Sequence, residues 1–137
     1  MPAQDKYHST VKRALVKAGW TIIGEQVPFK IEDRYFFVDL RVARNRNQLV
    51  ILLEIKGFES SPAQGTLLME AIGQYRVYLS VLALANENIP LYLAVPILAY
   101  NGILTEVIGQ QVLQDNQVRL LVFDPESEEI VKWIPQP

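Results

Sequence analysis

The sequence predicts an α/β fold in which helices flank a central mixed β-sheet. Residues 34–56 contain two apolar runs joined by a short polar turn, which is typical of an antiparallel hairpin. Residues 63–85 have helical periodicity, and residues 91–95 form a short, nearly all-apolar segment typical of a strand covered on both faces. The resulting order, α-β-β-β-α-β-α-β-β, implies a mixed sheet with helices against its faces.

Each element has a local justification. The predicted elements are a helix over 4–18, strands over 20–31, 34–42 and 48–56, a helix over 63–85, a strand over 91–95, a helix over 98–108 and strands over 118–123 and 129–134. Gly19 ends the first helix, and Pro28 favours an edge or a bulge in the strand that follows. The polar turn 44–47 joins the hairpin strands, Pro96 ends the central strand, and Asp124-Pro125 lies in the turn of a final hairpin.

The composition is that of an ordinary globular domain. The 137 residues are half apolar and one fifth charged, so one domain over 1–137 is expected. The net charge of −2 is too small for nucleic-acid binding through bulk charge, although residues 1–85 carry eleven basic against eight acidic side chains. Without cysteine, an apolar run of about 18 residues or an apolar leader, we expect no disulfide, thiolate metal site or membrane span, and a cytoplasmic location.

Two acids and a lysine interrupt the apolar strands of the hairpin. Asp39 lies in the first strand, and Glu54 and Lys56 lie in the second. Side chains alternate along a strand, so Glu54 and Lys56 face the same side, and pairing can bring Asp39 close to Glu54. Buried carboxylates need a partner, and Mg²⁺ accepts a few carboxylate oxygens while keeping several waters.

This pattern predicts a nuclease-type site of the PD-(D/E)xK kind. Asp39, Glu54 and the Ile55 carbonyl would bind Mg²⁺. Lys56 would serve the attacking water or the developing negative charge in phosphodiester hydrolysis. The alternative interpretation is structural, with an Asp and a Glu–Lys pair satisfied by salt bridges at strand ends.

The predicted helix over 63–85 adds a second indication. At about 100° per residue, Gln74 falls in the middle of an apolar face that includes Ala71 and Tyr78. Gln74 and Tyr78 are neighbours four residues apart. A buried amide needs partners, so Gln74 is expected to bind the carboxylates or a metal-bound water, with Tyr78 in support. The alternative is a hydrogen bond from Gln74 to a backbone group at a strand end.

Histidine and basic side chains supply further candidates. His8, the only histidine, borders the apolar face of the first helix, and Lys12 continues its polar edge. Either is a candidate to contact the metal site or a phosphate, and the alternative for His8 is a partly buried surface residue. Arg41, Arg44 and Arg46 form the densest local basic group and, with Lys12, are the candidate DNA-binding residues. The alternative is a solvated hairpin turn.

Eight short motifs follow one another along nearly the whole chain. They are Asp5-x-x-His8-x-x-Val11, Ala18-Gly-Trp-Thr21, Val38-Asp-Leu40, Glu54-Ile-Lys-x-Phe58, Ala71-Ile-Gly-Gln-Tyr75, Leu91-Tyr-Leu-Ala-Val-Pro96, Leu121-Val-Phe-Asp-Pro125 and Val131-x-Trp-Ile134. In this order they resemble the XisH family, whose members are named fdxN element excision controlling factors. Single motifs of this length are weak signals, but eight in the same order are fairly specific.

The resemblance implies a PD-(D/E)xK, restriction-endonuclease-like fold and a role in controlling site-specific DNA excision. It places the catalytic positions at Asp39, Glu54, Lys56 and Gln74. It also implies DNA, a separate recombinase and an XisI-like protein as partners, and analogy with enzymes of this fold suggests a homodimer. The leading hypothesis is a small DNA-acting protein with a nuclease fold and a Mg²⁺ site, which would cleave, nick or bind DNA in support of excision. The second is a non-catalytic regulatory subunit that holds the recombinase or the XisI-like partner, and the third is a domain whose acids are only structural.

Overall fold

The six strands that the structure describes form one mixed sheet. A computed structural model describes residues 6–58 and 63–137. Its elements are α1 (His8–Lys17), β1 (Thr21–Ile31), β2 (Arg34–Arg44), β3 (Leu49–Ile55), α2 (Gln64–Leu84), β4 (Leu91–Pro96), α3 (Ile97–Asn101), a 3₁₀ turn (Ile103–Thr105), α4 (Val107–Asp115), β5 (Leu120–Asp124) and β6 (Glu129–Ile134). The strands lie in sequence order. β4 is parallel to both β3 and β5, and the remaining pairs are antiparallel. The predicted mixed sheet and its β2–β3 hairpin are confirmed.

Helices cover both faces of the sheet. On one face, α1 packs through Val11 and Leu15 onto Leu53 and its neighbours. On the other face, α2 packs onto Leu52, Leu93 and further apolar side chains of β4 and β5. Every residue of β4 is buried, as predicted for a central strand covered on both sides. Full burial of one such leucine stabilises the fold by about 1.5 to 3 kcal/mol.

The segment after β4 differs from its prediction. A single helix over 98–108 is wrong, because the chain forms α3, the 3₁₀ turn and then α4, which ends at Asp115. Gly102 has non-helical backbone angles (φ −96°, ψ −116°) and interrupts the helix. Gly109 then allows α4 to approach the preceding turn, because a Cβ at Gly109 would lie 2.0 Å from the carbonyl oxygen of Ile103.

The helix α2 is apolar around most of its circumference. It closely matches its predicted range, and it is long and apolar enough to cross a membrane by length and composition alone, which is weak evidence for a span. The inner side of α2 carries the buried residues Leu68, Ala71, Tyr75 and Leu82. Only 28% of the most apolar 18-residue stretch of the helix is buried, however. The outer side of α2 therefore exposes apolar side chains to solvent.

The first helix is tied to both ends of the sheet. α1 begins at His8, and the predicted start at residue 4 lies outside the described residues. Arg13 Nε donates a hydrogen bond to Glu128 (2.7 Å), and Lys17 Nζ donates one to the carbonyl of Ser127 (2.8 Å). Gly19, with φ +91°, then turns the chain into β1. Arg13 and Lys17 therefore tie the second half of α1 to the turn between β5 and β6, and Gly19 joins the helix to β1.

Candidate functional site

The two predicted acids meet where β2 and β3 separate. The last pair of this ladder is Leu40 with Leu53. Beyond it, β3 continues beside β4, while the first half of β2 pairs with β1 alone. The backbone N–H of Asp39 donates to Glu54 Oε1 (3.2 Å), and the backbone N–H of Ile55 donates to Asp39 Oδ2 (2.8 Å). Each carboxylate therefore accepts a backbone hydrogen bond that the diverging ladder no longer provides.

Two further side chains close the gap between the strands. Gln26 has φ +46° in the middle of β1, is buried, and donates from Nε2 to Asp39 Oδ1 (3.3 Å). Tyr78 of α2 donates its hydroxyl hydrogen to the carbonyl of Phe37 (2.8 Å). Phe37 and Asp39 are two residues apart, so the carbonyl of Phe37 and the N–H of Asp39 lie on the same edge of β2. Gln26 was not predicted, and nothing in its local sequence marks it.

Burial and mutual repulsion perturb the acid pair. Asp39 is 8% exposed, and burial raises its pKa, against the opposing effect of the Ile55 N–H. Burial is also the main cause that raises the pKa of Glu54 to about 9, and the negative charge of Asp39 adds to it. The pKa of Tyr78 rises to about 12 through burial and then through the charges of Glu54 and Asp39. The site therefore disfavours two charged carboxylates, and the pair retains a proton at neutral pH unless a cation replaces it.

Lys56 lies beside the pair and contacts α2. Its Nζ donates to Glu70 Oε2 (3.3 Å), and its charge lowers the pKa of Glu54. Glu70, Gln74 and Tyr78 follow one another at four-residue intervals along α2, so they share one side of the helix. Glu70 was not predicted as a site residue, although this spacing was a usable signal.

The predicted burial of Gln74 is wrong. Gln74 is exposed, and Tyr75 occupies the inner side of α2 instead. The hydroxyl of Tyr75 donates to the carbonyl of Leu91 (2.7 Å) and accepts from the N–H of Arg119 (3.2 Å). Apolar residues surround α2 on most sides, so periodicity alone placed the inner face incorrectly. Gln74 still lies between Glu70 and Tyr78, on the side of α2 that borders the acids.

His8 and Lys12 both bind Glu25 of β1. His8 Nε2 lies 3.0 Å from Glu25 Oε1, and Lys12 Nζ lies 2.9 Å from Glu25 Oε2. These bonds, first that from Lys12 and then that from His8, lower the pKa of Glu25. His8 is almost completely buried, and a positive charge on it would lower the pKa of Asp39. His8 therefore borders the acid pair, whereas the ammonium group of Lys12 is held by Glu25.

The three arginines do not gather at the acids. Arg41 is two residues from Asp39, and its buried Nε has no hydrogen-bond partner within the described residues. Arg44 ends β2 and pairs with Leu49, which lies five residues, or about 17 Å, from Glu54 along β3. Arg46 lies in the turn that follows Arg44. The Arg44 guanidinium lies 5.6 Å from the centre of the buried Trp20 ring. DNA binding by these residues stays a prediction.

The side chains of Asp39 and Glu54 fit a divalent cation that takes few ligands from the protein and keeps several waters. Within residues 6–58 and 63–137, no group of three or more His, Cys, Asp or Glu side chains is arranged to hold a metal ion. Two carboxylates are nevertheless enough for Mg²⁺, which retains several waters. The Ile55 N–H points to Asp39, and the N–H and C=O of one strand residue face the same edge. The Ile55 carbonyl therefore faces the gap that holds Asp39 and Glu54, and metal binding by these three groups stays a prediction.

Comparison with known proteins identifies relatives of the whole described fold. The family model described as XisH protein matches residues 1–131. The crystal structure of an XisH family protein from Nostoc punctiforme PCC 73102 is 28% identical, with a TM-score of 0.85 over 94% of this chain and 98% of that one. The crystal structure of an fdxN element excision controlling factor protein from Anabaena variabilis is 29% identical, with a TM-score of 0.86 over 96% and 99%. No curated protein matches the sequence. With nearly the whole chain matched by the family model, the protein belongs to the XisH family.

Proposed function

We propose that this XisH family protein is a DNA-acting excision controlling factor with a PD-(D/E)xK nuclease-type core that uses Mg²⁺. The observation that carries the proposal is the buried Asp39–Glu54 pair at the split between β2 and β3. The pKa of both acids is raised, so a divalent cation between them would relieve their repulsion and favour their charged forms. The excision role comes from the name of the Anabaena variabilis relative.

Different residues of the site would bind the metal ion, stabilise the developing charge and contact the DNA. A bound divalent cation would polarise a phosphodiester oxygen and lower the pKa of a bound water. Asp39 is oriented by the Ile55 N–H and by Gln26, so it would hold a fixed position toward the ligand. Lys56 faces the same side of β3 as Glu54. Its Nζ would leave Glu70 and bind a phosphate oxygen, where it would stabilise the negative charge that develops during hydrolysis. Gln74 lies on the adjacent side of α2, where its amide would contact the DNA or a bound water.

Two assays test this proposal separately. The first incubates supercoiled, linear and single-stranded DNA with the protein in Mg²⁺ or Mn²⁺. We expect cleavage by the wild type, its loss in Lys56→Ala, and no change in Lys132→Ala, an exposed strand lysine on β6. The second measures Mn²⁺ binding by calorimetry, and we expect Glu54→Gln to abolish it while Lys56→Ala retains it. Absence of Mn²⁺ binding in the wild type would refute the metal site itself.

A second candidate function is a non-catalytic regulatory subunit that binds an XisI-like protein or the recombinase. The observation that favours it is that the polar side chains of the site already have hydrogen-bond partners within the protein, as a purely structural role requires. Lys56 bonds Glu70, and Asp39 and Glu54 bond each other's strands. A cellular excision reporter distinguishes the two functions. Full excision supported by Lys56→Ala would favour the regulatory function, and loss of excision with unchanged folding would favour the catalytic one.

A further inference from the structure

A polar cleft lies between α2, the end of α4 and the start of β5. Its volume is about 480 Å³, which is within the size range of small-molecule sites. Arg76 of α2 and Arg119, the residue before β5, both line it, and we call it the Arg76–Arg119 cleft. No Asp or Glu lines this cleft, and neither guanidinium forms an ion pair with a carboxylate of the described residues. Two positive charges therefore face the cleft without a negative partner.

The two guanidinium groups lie within electrostatic reach of one buried hydroxyl group. The backbone N–H of Arg119 donates to the hydroxyl of Tyr75 (3.2 Å), and Tyr75 precedes Arg76 in α2. Burial raises the pKa of Tyr75, whereas the N–H and the charge of Arg119, and then the charge of Arg76, oppose this rise. The hydrogen bond from Arg119 thus holds the start of β5 against α2, which brings the two arginines to the same cleft.

The charge of the cleft is opposite to that of the chain around it. Residues 86–137 carry seven acidic and only two basic side chains, and Arg119 is one of the two. The other is Lys132, whose ammonium group lies 4.2 Å from the centre of the Tyr100 ring. Asp115, at the end of α4, does not line the cleft and instead accepts a hydrogen bond from Gln111 (2.8 Å). The cleft is therefore a positive site within an acidic segment, which favours an anionic ligand.

The size and walls of the cleft favour a phosphate that carries a flat, partly apolar body. Paired guanidinium groups match the geometry of phosphate oxygens, but one phosphate would fill only part of the space. Leu79 and Pro135 supply apolar wall. A second cavity of about 240 Å³ shares three lining residues with the cleft, among them Val118, and reaches Tyr100. An aromatic ring of this kind is a surface on which a nucleobase stacks.

Three amide side chains complete the lining of the cleft. Gln114 and Gln117 make no side-chain hydrogen bond within residues 6–58 and 63–137. Asn116 Nδ2 donates to the carbonyl of Val112 (2.8 Å), which leaves its Oδ1 as an acceptor. An amide can both donate and accept, as the edges of nucleobases do. The polar groups beside the arginines are therefore suited to a base as well as to a phosphate.

We propose that the Arg76–Arg119 cleft binds a nucleotide, with its phosphate on the two guanidinium groups and its base beside the amides and Tyr100. A free mononucleotide and the 5′-phosphorylated end of an unpaired DNA strand present this same chemistry. Arg76 lies two residues from Gln74, which is about 200° around α2. The cleft is therefore on the other side of the helix from Asp39 and Glu54, and the proposal depends neither on a metal nor on cleavage at the acid pair.

Calorimetric titration of the full chain with the four deoxynucleoside 5′-monophosphates, each tested singly, measures this binding. We expect at least one of them to bind, and its unphosphorylated nucleoside and inorganic phosphate to bind more weakly by roughly tenfold or more. Arg76→Ala and Arg119→Ala should each weaken the nucleotide by a similar factor, and Arg119→Lys should weaken it less. Both arginines are exposed, so thermal unfolding of these variants should match that of the wild type.

Three variants serve as controls for the titration. Arg34→Ala removes an exposed arginine at the start of β2, away from the cleft, and should bind the nucleotide as the wild type does. Tyr100→Phe keeps the ring and should retain affinity, whereas Tyr100→Ala should reduce it by several-fold because the stacking surface is lost. Lys56→Ala should also bind normally, so a failure of the cleft and a failure of the nuclease-type site are distinguishable.

Fluorescence anisotropy with a short single-stranded oligonucleotide distinguishes the two sources of the nucleotide. Tighter binding of the 5′-phosphorylated than of the 5′-hydroxyl form, lost in Arg119→Ala, would assign the cleft to a strand end. Arginine-dependent binding of a mononucleotide without this preference would assign it to a free nucleotide.

Three results would overturn the proposal. The first is a wild type that binds none of the nucleotides or oligonucleotides. The second is nucleotide binding that both Arg76→Ala and Arg119→Ala leave unchanged, which would place the nucleotide elsewhere. The third is binding of citrate as tight as that of the best nucleotide, which would assign the cleft to carboxylates instead of a phosphate and base.

Discussion

At neutral pH the native chain holds a proton on the Asp39–Glu54 pair that the unfolded chain has already released. Burial and the charge of Asp39 raise the pKa of Glu54 from 4.5 to about 9. Between these two values the native state binds more protons than the unfolded state, so the free energy of unfolding must fall as the pH rises. The contribution of Glu54 to stability is fully present when the pH is below its pKa in the unfolded chain. It is lost as the pH rises through its pKa in the folded chain.

Glu54→Gln should remove this pH dependence. The glutamine oxygen can still accept the hydrogen bond from the Asp39 N–H, but the side chain no longer ionises. One proton changes the free energy of unfolding by at most about 1.4 kcal/mol per pH unit, so the wild type should lose at most about 4 kcal/mol between pH 6 and pH 9. Over the same range the variant should stay nearly constant, and it should exceed the wild type in stability near pH 9.

The measurement is urea unfolding in the presence of a chelator, followed by fluorescence of the buried Trp20. Glu129→Gln, an exposed strand carboxyl, is the matched control and should keep the wild-type slope. Adding Mg²⁺ should stabilise the wild type most at high pH and leave Glu54→Gln unchanged, because only the ionised pair gains from a cation. Equal slopes for wild type and Glu54→Gln would refute the reasoning about the acid pair.

Three further predictions follow from the structure. Tyr78→Phe removes the hydrogen bond to the Phe37 carbonyl and should lower the free energy of unfolding by about 1 kcal/mol in urea titrations. Gly109→Ala should lower it by about 2 to 3 kcal/mol, because the added Cβ overlaps the Ile103 carbonyl oxygen. Arg46→Ala should leave stability unchanged within about 0.5 kcal/mol. If Arg46 contacts one phosphate, the same change should reduce the slope of log K against log salt for DNA binding by about 0.9.

The first two of these predictions have matched control variants, and the third has an outcome that would contradict it. Tyr35→Phe alters an exposed tyrosine and should change stability less than Tyr78→Phe does. Gly65→Ala adds a Cβ where no atom lies within 4 Å, so it should be neutral or stabilising, in contrast to Gly109→Ala. An equal loss at both glycines would contradict the overlap at Gly109. An unchanged salt slope in Arg46→Ala would remove this residue from the DNA contact.

The acid pair was predictable because its geometry is local. Alternation along a strand puts Glu54 and Lys56 on one side, and the short turn over 44–47 limits the register of the hairpin. The structure accordingly brings Asp39 to Glu54. The strand separation at the pair was not predictable, since it depends on β4 and α2, which approach from distant parts of the chain.

Other features depended on contacts that no short window of sequence contains. Gln26 reaches Asp39 through a left-handed backbone angle inside a strand, which a residue other than glycine seldom adopts. The burial of Tyr75 instead of Gln74 was decided by a hydrogen bond to Leu91. In both cases tertiary packing decided the outcome. The turn before α4 is different, because the close approach of Gly109 to Ile103 is local but no periodicity marks it.

The exchange of hydrogen bonds across the β2–β3 split has an evolutionary consequence. Replacing Asp39 or Glu54 with a residue that cannot accept a hydrogen bond leaves a backbone N–H of the opposite strand unpaired, so selection for folding alone favours a hydrogen-bond acceptor at both positions. Lys56 differs, because its ion pair with the exposed Glu70 contributes no more than about 1 kcal/mol. If the proposed DNA cleavage is correct, a lineage that lost this activity would keep a hydrogen-bond acceptor at positions 39 and 54 and be free to lose the lysine. Position 56 is therefore where active and inactive relatives would first differ.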